Sequence, residues 1–129
     1  MHRVKSLRSW GNKKPYVGQS KAVSQYCLSD HFHRSKLEAS VCDQLRLRVI
    51  AKDIKSYRRE VPITLMEGTV NVSRYIGKYI ADFWVENNDG TFEIIEAKGI
   101  EWPDFKRKWK VLEAMYANDP LMTLTIVRK

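Results

Sequence analysis

The sequence predicts an α/β domain, a mixed central sheet flanked by helices. Three observations carry this expectation. Apolar residues recur at helical spacing over about residues 35–49. Runs of strand-type residues separated by turn signals fill the stretch from Tyr57 to Ala97. A second helical repeat begins at Pro103 and is followed by one more extended run, Leu121 to Val127. The expected order is helix, three or four strands, helix, strand. With 129 residues the chain has the length of one domain with one core. We place that domain at residues 35–129, behind a basic N-terminal arm at residues 1–34.

The arm is polar and basic, broken by Gly11, Pro15 and Gly18, with a short helix expected near residues 20–28. Its aromatics Trp10, Tyr16, Tyr26 and Phe32 imply that parts of it pack on something. Ser35 then suits a helix N-cap, with Glu38 at the capping-box position. Leu37, Val41, Leu45 and Val49 share the face that should turn to the core. Tyr57 to Leu65 reads as a strand that Pro62 confines to an edge or a bulge. Glu67-Gly68 reads as a turn. Val70 to Arg74, Lys78 to Glu86 and Thr91 to Ala97 read as three further strands, the last two joined by a turn at Asn87-Asn88-Asp89-Gly90. Pro103 fits a first helical turn, and Phe105, Trp109, Leu112 and Tyr116 make one largely apolar face.

The bulk numbers bound the function. Hydrophobic residues make up 43% and charged residues 29%, ordinary for a globular protein. No stretch approaches the ~18 apolar residues of a membrane span and no apolar signal core opens the chain, so no membrane role and a cytoplasmic residence are expected. Cys27 and Cys42 lack metal-type spacing and read as free, partly buried thiols. The net charge of +8 is unevenly spread: residues 1–60 carry +9 and residues 61–129 carry −1. A basic half beside an acid-bearing half suits phosphate attraction near a metal-ready pocket.

That pocket is read from Ile80-Ala81-Asp82 and Glu96-Ala97-Lys98. A normal hairpin register brings Asp82 within a few ångströms of Glu96, and strand alternation points Glu96 and Lys98 the same way. Both carboxylates sit inside apolar strands, where an unpartnered charge is costly. A hard cation such as Mg²⁺ would neutralise their repulsion, with the Ala97 carbonyl as an additional ligand and Glu38 available from the first helix. Such a metal polarises a phosphodiester and acidifies a bound water, while Lys98 orients that water or meets the developing charge. A surface hairpin with a cross-strand salt bridge is the plainer alternative.

The segments Ser35-Lys36-Leu37-Glu38-Ala39, Tyr79-Ile80-Ala81-Asp82-Phe83, Ile95-Glu96-Ala97-Lys98-Gly99 and Phe105-Lys106-Arg107-Lys108-Trp109-Lys110 together resemble the PD-(D/E)XK, or restriction-endonuclease-like, nuclease superfamily. The likeness is greatest to small phage-encoded nucleases. The chain is also similar to phage endonuclease I-type Holliday-junction resolvases and TnsA-type endonucleases. The resemblance spans residues 35–128. It implies an αβββαβ core and an Mg²⁺-dependent DNA endonuclease, with Mn²⁺ expected to substitute. It further implies Glu38, Asp82 and Glu96 as metal ligands and Lys98 as the catalytic lysine. Ala81 stands where the family name has proline.

Lys106, Lys108 and Lys110, just after Gly99, are candidates for DNA-backbone contact, as are Arg58 and Arg59 in a basic band that also holds Arg46, Arg48, Lys52 and Lys55. Lys13 and Lys14 of the arm would add to it. His31 and His33 beside Asp30 read first as a polar loop and second as a metal or base cluster. DNA is the expected partner. Since duplex cleavage usually needs two active sites, a homodimer or a nuclease subunit of a larger complex is expected. A non-catalytic nucleic-acid-binding module of the same fold is the main alternative, and an adaptor subunit the third.

Overall fold

A computed structural model describes residues 24–69 and 71–128. Its elements are β1 (Gln25–Tyr26), β2 (Phe32–His33), α1 (Lys36–Ile50), β3 (Ser56–Gly68), β4 (Ser73–Glu86), β5 (Phe92–Lys98), α2 (Pro103–Met115) and β6 (Met122–Arg128). β3, β4, β5 and β6 form one mixed sheet in that order. The first two pairings are antiparallel and β5–β6 is parallel. Helix α2 is the crossover that a parallel pair requires. The mixed α/β expectation holds. Among the described residues no helix is long and apolar enough to cross a membrane.

The helices form where the caps and periodicities place them. Ser35 caps α1 by accepting from the Glu38 N–H at 3.0 Å, an arrangement worth about 1 kcal/mol. Val41 and Leu45 are buried, with Leu37 and Val49 packed beside them. Pro103 stands at the start of α2, and Phe105, Trp109 and Leu112 are buried along one face. Tyr116 closes that helix half-buried.

Three expectations need correction. Residues 25–26 are extended rather than helical: they pair with residues 32–33 in a small antiparallel hairpin whose loop holds Asp30 in the left-handed region. Ser73 and Arg74, the end of the run expected at 70–74, belong with the run at 78–86 to one long strand, β4, which continues through a register slip near Ile76–Gly77; Val70 lies outside the described residues. Glu67-Gly68 is the end of β3 rather than a turn, paired with Arg74 and Ser73. Pro62 lies in an edge strand, as expected, in register opposite Ile80, while the slip falls at Leu65/Met66. Gly90 closes the β4–β5 turn at φ +87, donating its N–H to the Asn87 carbonyl.

The β3–β4 ladder is interrupted once more, and this interruption shapes the site. Arg59 pairs with Phe83 and Val61 with Ala81, but the intervening Glu60 has φ +50, a left-handed conformation costing a non-glycine residue about 1 kcal/mol. On one side of the break, Tyr57, Phe83 and Val85 pack with α1. On the other, Ile63, Leu65, Tyr79 and Ala81 pack with α2. Odd-numbered residues thus change sides of the sheet across Glu60, and Asp82 lies opposite that change.

Candidate functional site

Asp82 sits where β4 and β5 part. Their ladder runs from Glu86↔Phe92 to Phe83↔Ile95. Extending that antiparallel register puts Asp82 opposite Glu96. One residue on, the Ala97 N–H donates to Asp82 Oδ2 at 2.9 Å, so a side chain takes the place a backbone carbonyl would hold in a continued ladder. The expected closeness of Asp82 and Glu96 follows from this register.

Glu96 is 3% exposed, an ionisable group surrounded by core. Its two oxygens have separate partners: Lys98 Nζ lies 3.2 Å from Oε2, and the Tyr79 hydroxyl donates to Oε1. The Lys98 ammonium also stands 4.7 Å from the centroid of the Phe105 ring, a cation–π contact that ties the site to α2. Burial first, then the charges of Glu96 and Glu38, push the Asp82 carboxyl up to about 8, against the opposing pull of the Ala97 N–H and Lys98. Burial also drives the Tyr79 hydroxyl far above its usual range, with Glu96 adding to the effect, which keeps it a donor.

Glu38 faces this pair from α1. Its carboxylate does not complete a capping box. Oε2 lies 3.3 Å from His33 Nδ1 instead. Glu38 is near enough to Asp82 for its charge to be felt, yet the three carboxylates are not drawn into one tight donor set. Among the described residues only Cys27, His31, His33 and Cys42 have donor atoms all within 4.8 Å of one another. All three acids are hard oxygen donors, suited to Mg²⁺ or Mn²⁺. Asp82 is buried beside two further carboxylates, and burial first, then their charge, raise its carboxyl. The donor chemistry of the three acids fits a divalent cation.

Tyr79 is the positioning residue that sequence reasoning missed, and His33, read there first as part of a polar loop, is a second. A signal existed for Tyr79: a tyrosine three residues before Asp82 in an apolar strand has a hydroxyl that needs a partner. For His33 the signal was its place two residues before the Ser35 cap. His33 is 2% exposed. Cys27 and Cys42 are free thiols, as expected. Both are buried, and they lie against each other and against His31, whose Nδ1 is 3.4 Å from Cys42 Sγ. Burial pushes the Cys42 thiol up to about 11.

The basic residues divide into free and engaged. Lys106 and Lys110 are exposed on α2 and make no ion pair among the described residues. Lys108 and the neighbouring Arg107 both lean on Asp104, at 3.7 and 2.6 Å. The band beside α1 is not a continuous open surface. Arg48 pairs with Asp53, Lys55 with Glu86, and Arg58 stacks over Trp84 at 5.8 Å from the ring centroid. Arg58 and Arg59 occupy opposite sheet faces, and Arg59 is close enough to His31 and Cys42 to act on their charge. Lys13 and Lys14 lie outside the described residues.

No curated protein and no solved structure matches the chain. A family model does: residues 26–128 match DUF1064, a protein family of unknown function, and since this covers most of the sequence, the chain belongs to that family.

Proposed function

We propose that this chain is a divalent-metal-dependent DNA endonuclease with a restriction-endonuclease-like core. One observation carries the reading: Glu38, Asp82, Glu96 and Lys98, supplied by α1, β4 and β5, converge at the point where the β4–β5 ladder ends. The element order supports it. Helix α1, the antiparallel β3–β4–β5 meander, the crossover α2 and the parallel strand β6 follow the αβββαβ sequence of such cores.

Glu38, Asp82, Glu96 and the Ala97 carbonyl would hold Mg²⁺, with Mn²⁺ substituting; bound there, the ion polarises the scissile phosphate and acidifies a water. The chain's own groups do the rest. The Ala97 N–H fixes the Asp82 carboxylate, and Tyr79 fixes that of Glu96. Lys98, held between Glu96 and the Phe105 ring, offers a cationic donor to the charge that develops on phosphorus. Lys106 and Lys110 lie on the helix after Gly99, suited to backbone phosphates. Such an enzyme acts on DNA in the cytoplasm, and duplex cleavage calls for a second site from another copy or from a larger complex. Branched DNA is the first substrate class to try, as one small domain has little surface for reading a long sequence.

The test is a nuclease assay on branched and linear DNAs, with and without Mg²⁺, comparing wild type with Glu96→Gln. Cleavage that persists unchanged in Glu96→Gln sinks the proposal. One observation favours the non-catalytic binding module instead: Lys98 and Tyr79 already satisfy both Glu96 oxygens. That reading expects DNA binding without nicking in either metal, and no change in stability when Mg²⁺ is added.

A further inference from the structure

We propose that Cys27, His31, His33 and Cys42 bind one Zn²⁺ ion, forming a closed tetrahedral centre that pins the β1–β2 hairpin to α1. The four residues come from that hairpin and its edges and from the middle of the helix. One donor atom from each lies within 4.8 Å of every other. In a tetrahedron with zinc–sulfur bonds near 2.3 Å and zinc–nitrogen bonds near 2.05 Å, the sulfur–nitrogen edge is about 3.6 Å. The observed separation of His31 Nδ1 and Cys42 Sγ is 3.4 Å. Two thiols and two imidazoles are soft and borderline donors, the set that selects zinc over the hard cations suited to the neighbouring acids.

A second observation points to a ligand independently. His33 is 2% exposed, its Nδ1 faces Glu38, and its Nε2 is buried with no hydrogen-bond partner. Among the described residues it is the one buried side-chain polar atom left in that state. An orphaned imidazole nitrogen costs free energy comparable to a lost hydrogen bond, and a metal removes that cost. The surroundings match an outer shell. The Tyr57 hydroxyl lies 3.4 Å from Cys42 Sγ and can donate to a thiolate there. The Glu38 carboxylate backs His33 as carboxylates commonly back zinc-bound histidines. The hairpin itself needs such a tie, since each of its strands has only two residues.

None of its four ligands belongs to the acidic cluster, which it meets only through the contact of His33 with Glu38, so the two proposals can fail independently. The full chain, purified with a thiol reductant and without added metal, should carry one zinc per molecule by elemental analysis. Co²⁺ exchanged into it should give the visible bands and thiolate charge-transfer absorption of a tetrahedral sulfur–nitrogen site. Cys42→Ser and the less buried His31→Asn should each lose stoichiometric zinc and those bands, with folding of His31→Asn verified by circular dichroism. Glu96→Gln should keep its zinc. Wild type that takes up neither Zn²⁺ nor Co²⁺, a Cys27–Cys42 disulfide in the purified protein, or full zinc content in both ligand variants would each overturn the inference. A protein that takes up no zinc but still cleaves DNA with Mg²⁺ removes the zinc site and leaves the nuclease reading intact; a zinc-bearing protein that cleaves nothing with Mg²⁺ does the reverse.

Discussion

Two clusters of ionisable and metal-ligating side chains share helix α1, and they are opposites. Glu38 and Cys42 are four residues apart on it, neighbours on one helical face. Glu38 looks to the strand edge that carries Asp82 and Glu96. Cys42 looks to the hairpin that carries Cys27, His31 and His33. The first cluster is all hard oxygen and holds more negative charge than Lys98 can offset; burial first, and then that charge, push the Asp82 carboxyl up to about 8. The second is two thiols and two imidazoles, soft and borderline donors, all but His31 buried. The contact between His33 Nδ1 and Glu38 is the one side-chain bond joining them among the described residues. Charge imbalance marks the first cluster and donor geometry marks the second.

The sharpest way to break this comparison is to remove the charge. Asp82→Asn and Glu96→Gln should each lower Mg²⁺-dependent cleavage about a thousandfold or more, and Lys98→Ala by about 10²–10³-fold, measured as single-turnover nicking. DNA affinity in EDTA should be retained or improved, because an acid facing phosphate has been lost. Equal loss of binding and cleavage would mean that the acids only hold the fold.

Cutting the link comes next. His33→Ala frees Glu38 without touching Asp82 or Glu96; because His33 is also a proposed zinc ligand, its cleavage is compared with that of His31→Asn, which loses the zinc but keeps the contact with Glu38. Cleavage should fall about 10- to 100-fold, the usual cost of removing a group that orients a metal ligand. An effect below threefold would show that the clusters are neighbours without coupling.

The charge imbalance also predicts a pH dependence of stability. Asp82 has a folded-state value raised from 3.8 to about 8. Stability from this group is fully present below pH ~4 and is lost as pH rises towards ~8, because the folded protein there binds a proton that the unfolded chain does not. In EDTA, wild type should become less stable across that window by denaturant titration. Asp82→Asn should flatten the slope, and Mg²⁺ should reduce it for wild type.

The smallest effects belong to the surface. Lys106→Ala and Lys110→Ala should each weaken DNA binding uniformly across sequences and reduce the salt slope by about one. Arg107→Ala and Lys108→Ala should do less, since Asp104 already engages both.

Much of the acidic cluster was legible in the sequence because charges inside apolar strands are conspicuous. The turn at 87–90 fixed a register that carries Asp82 to Glu96. Glu38 was legible through its helix cap, although its side chain went to His33 and left the capping box open. The Cys/His cluster was legible only as the pair His31 and His33, without the two cysteines, for a physical reason. Its spacing matches no recurrent ligand pattern, and the hairpin that brings Cys27 back towards His33 has strands too short to show alternation. The union of two apparent strands into β4 was hidden by Gly77, which breaks the pattern in sequence while the chain continues through it. The split of the basic band was hidden because a sequence shows charges without their partners.

The break at Glu60 has a consequence beyond the site. β3 is a long outer strand, the kind that invites another molecule to add itself and begin an aggregate. A left-handed residue at Glu60, a proline at Pro62 and a slip at Leu65/Met66 interrupt that edge in quick succession. An incoming strand finds no regular ladder to copy, so the distortion that turns the hairpin past Asp82 also protects the protein's solubility.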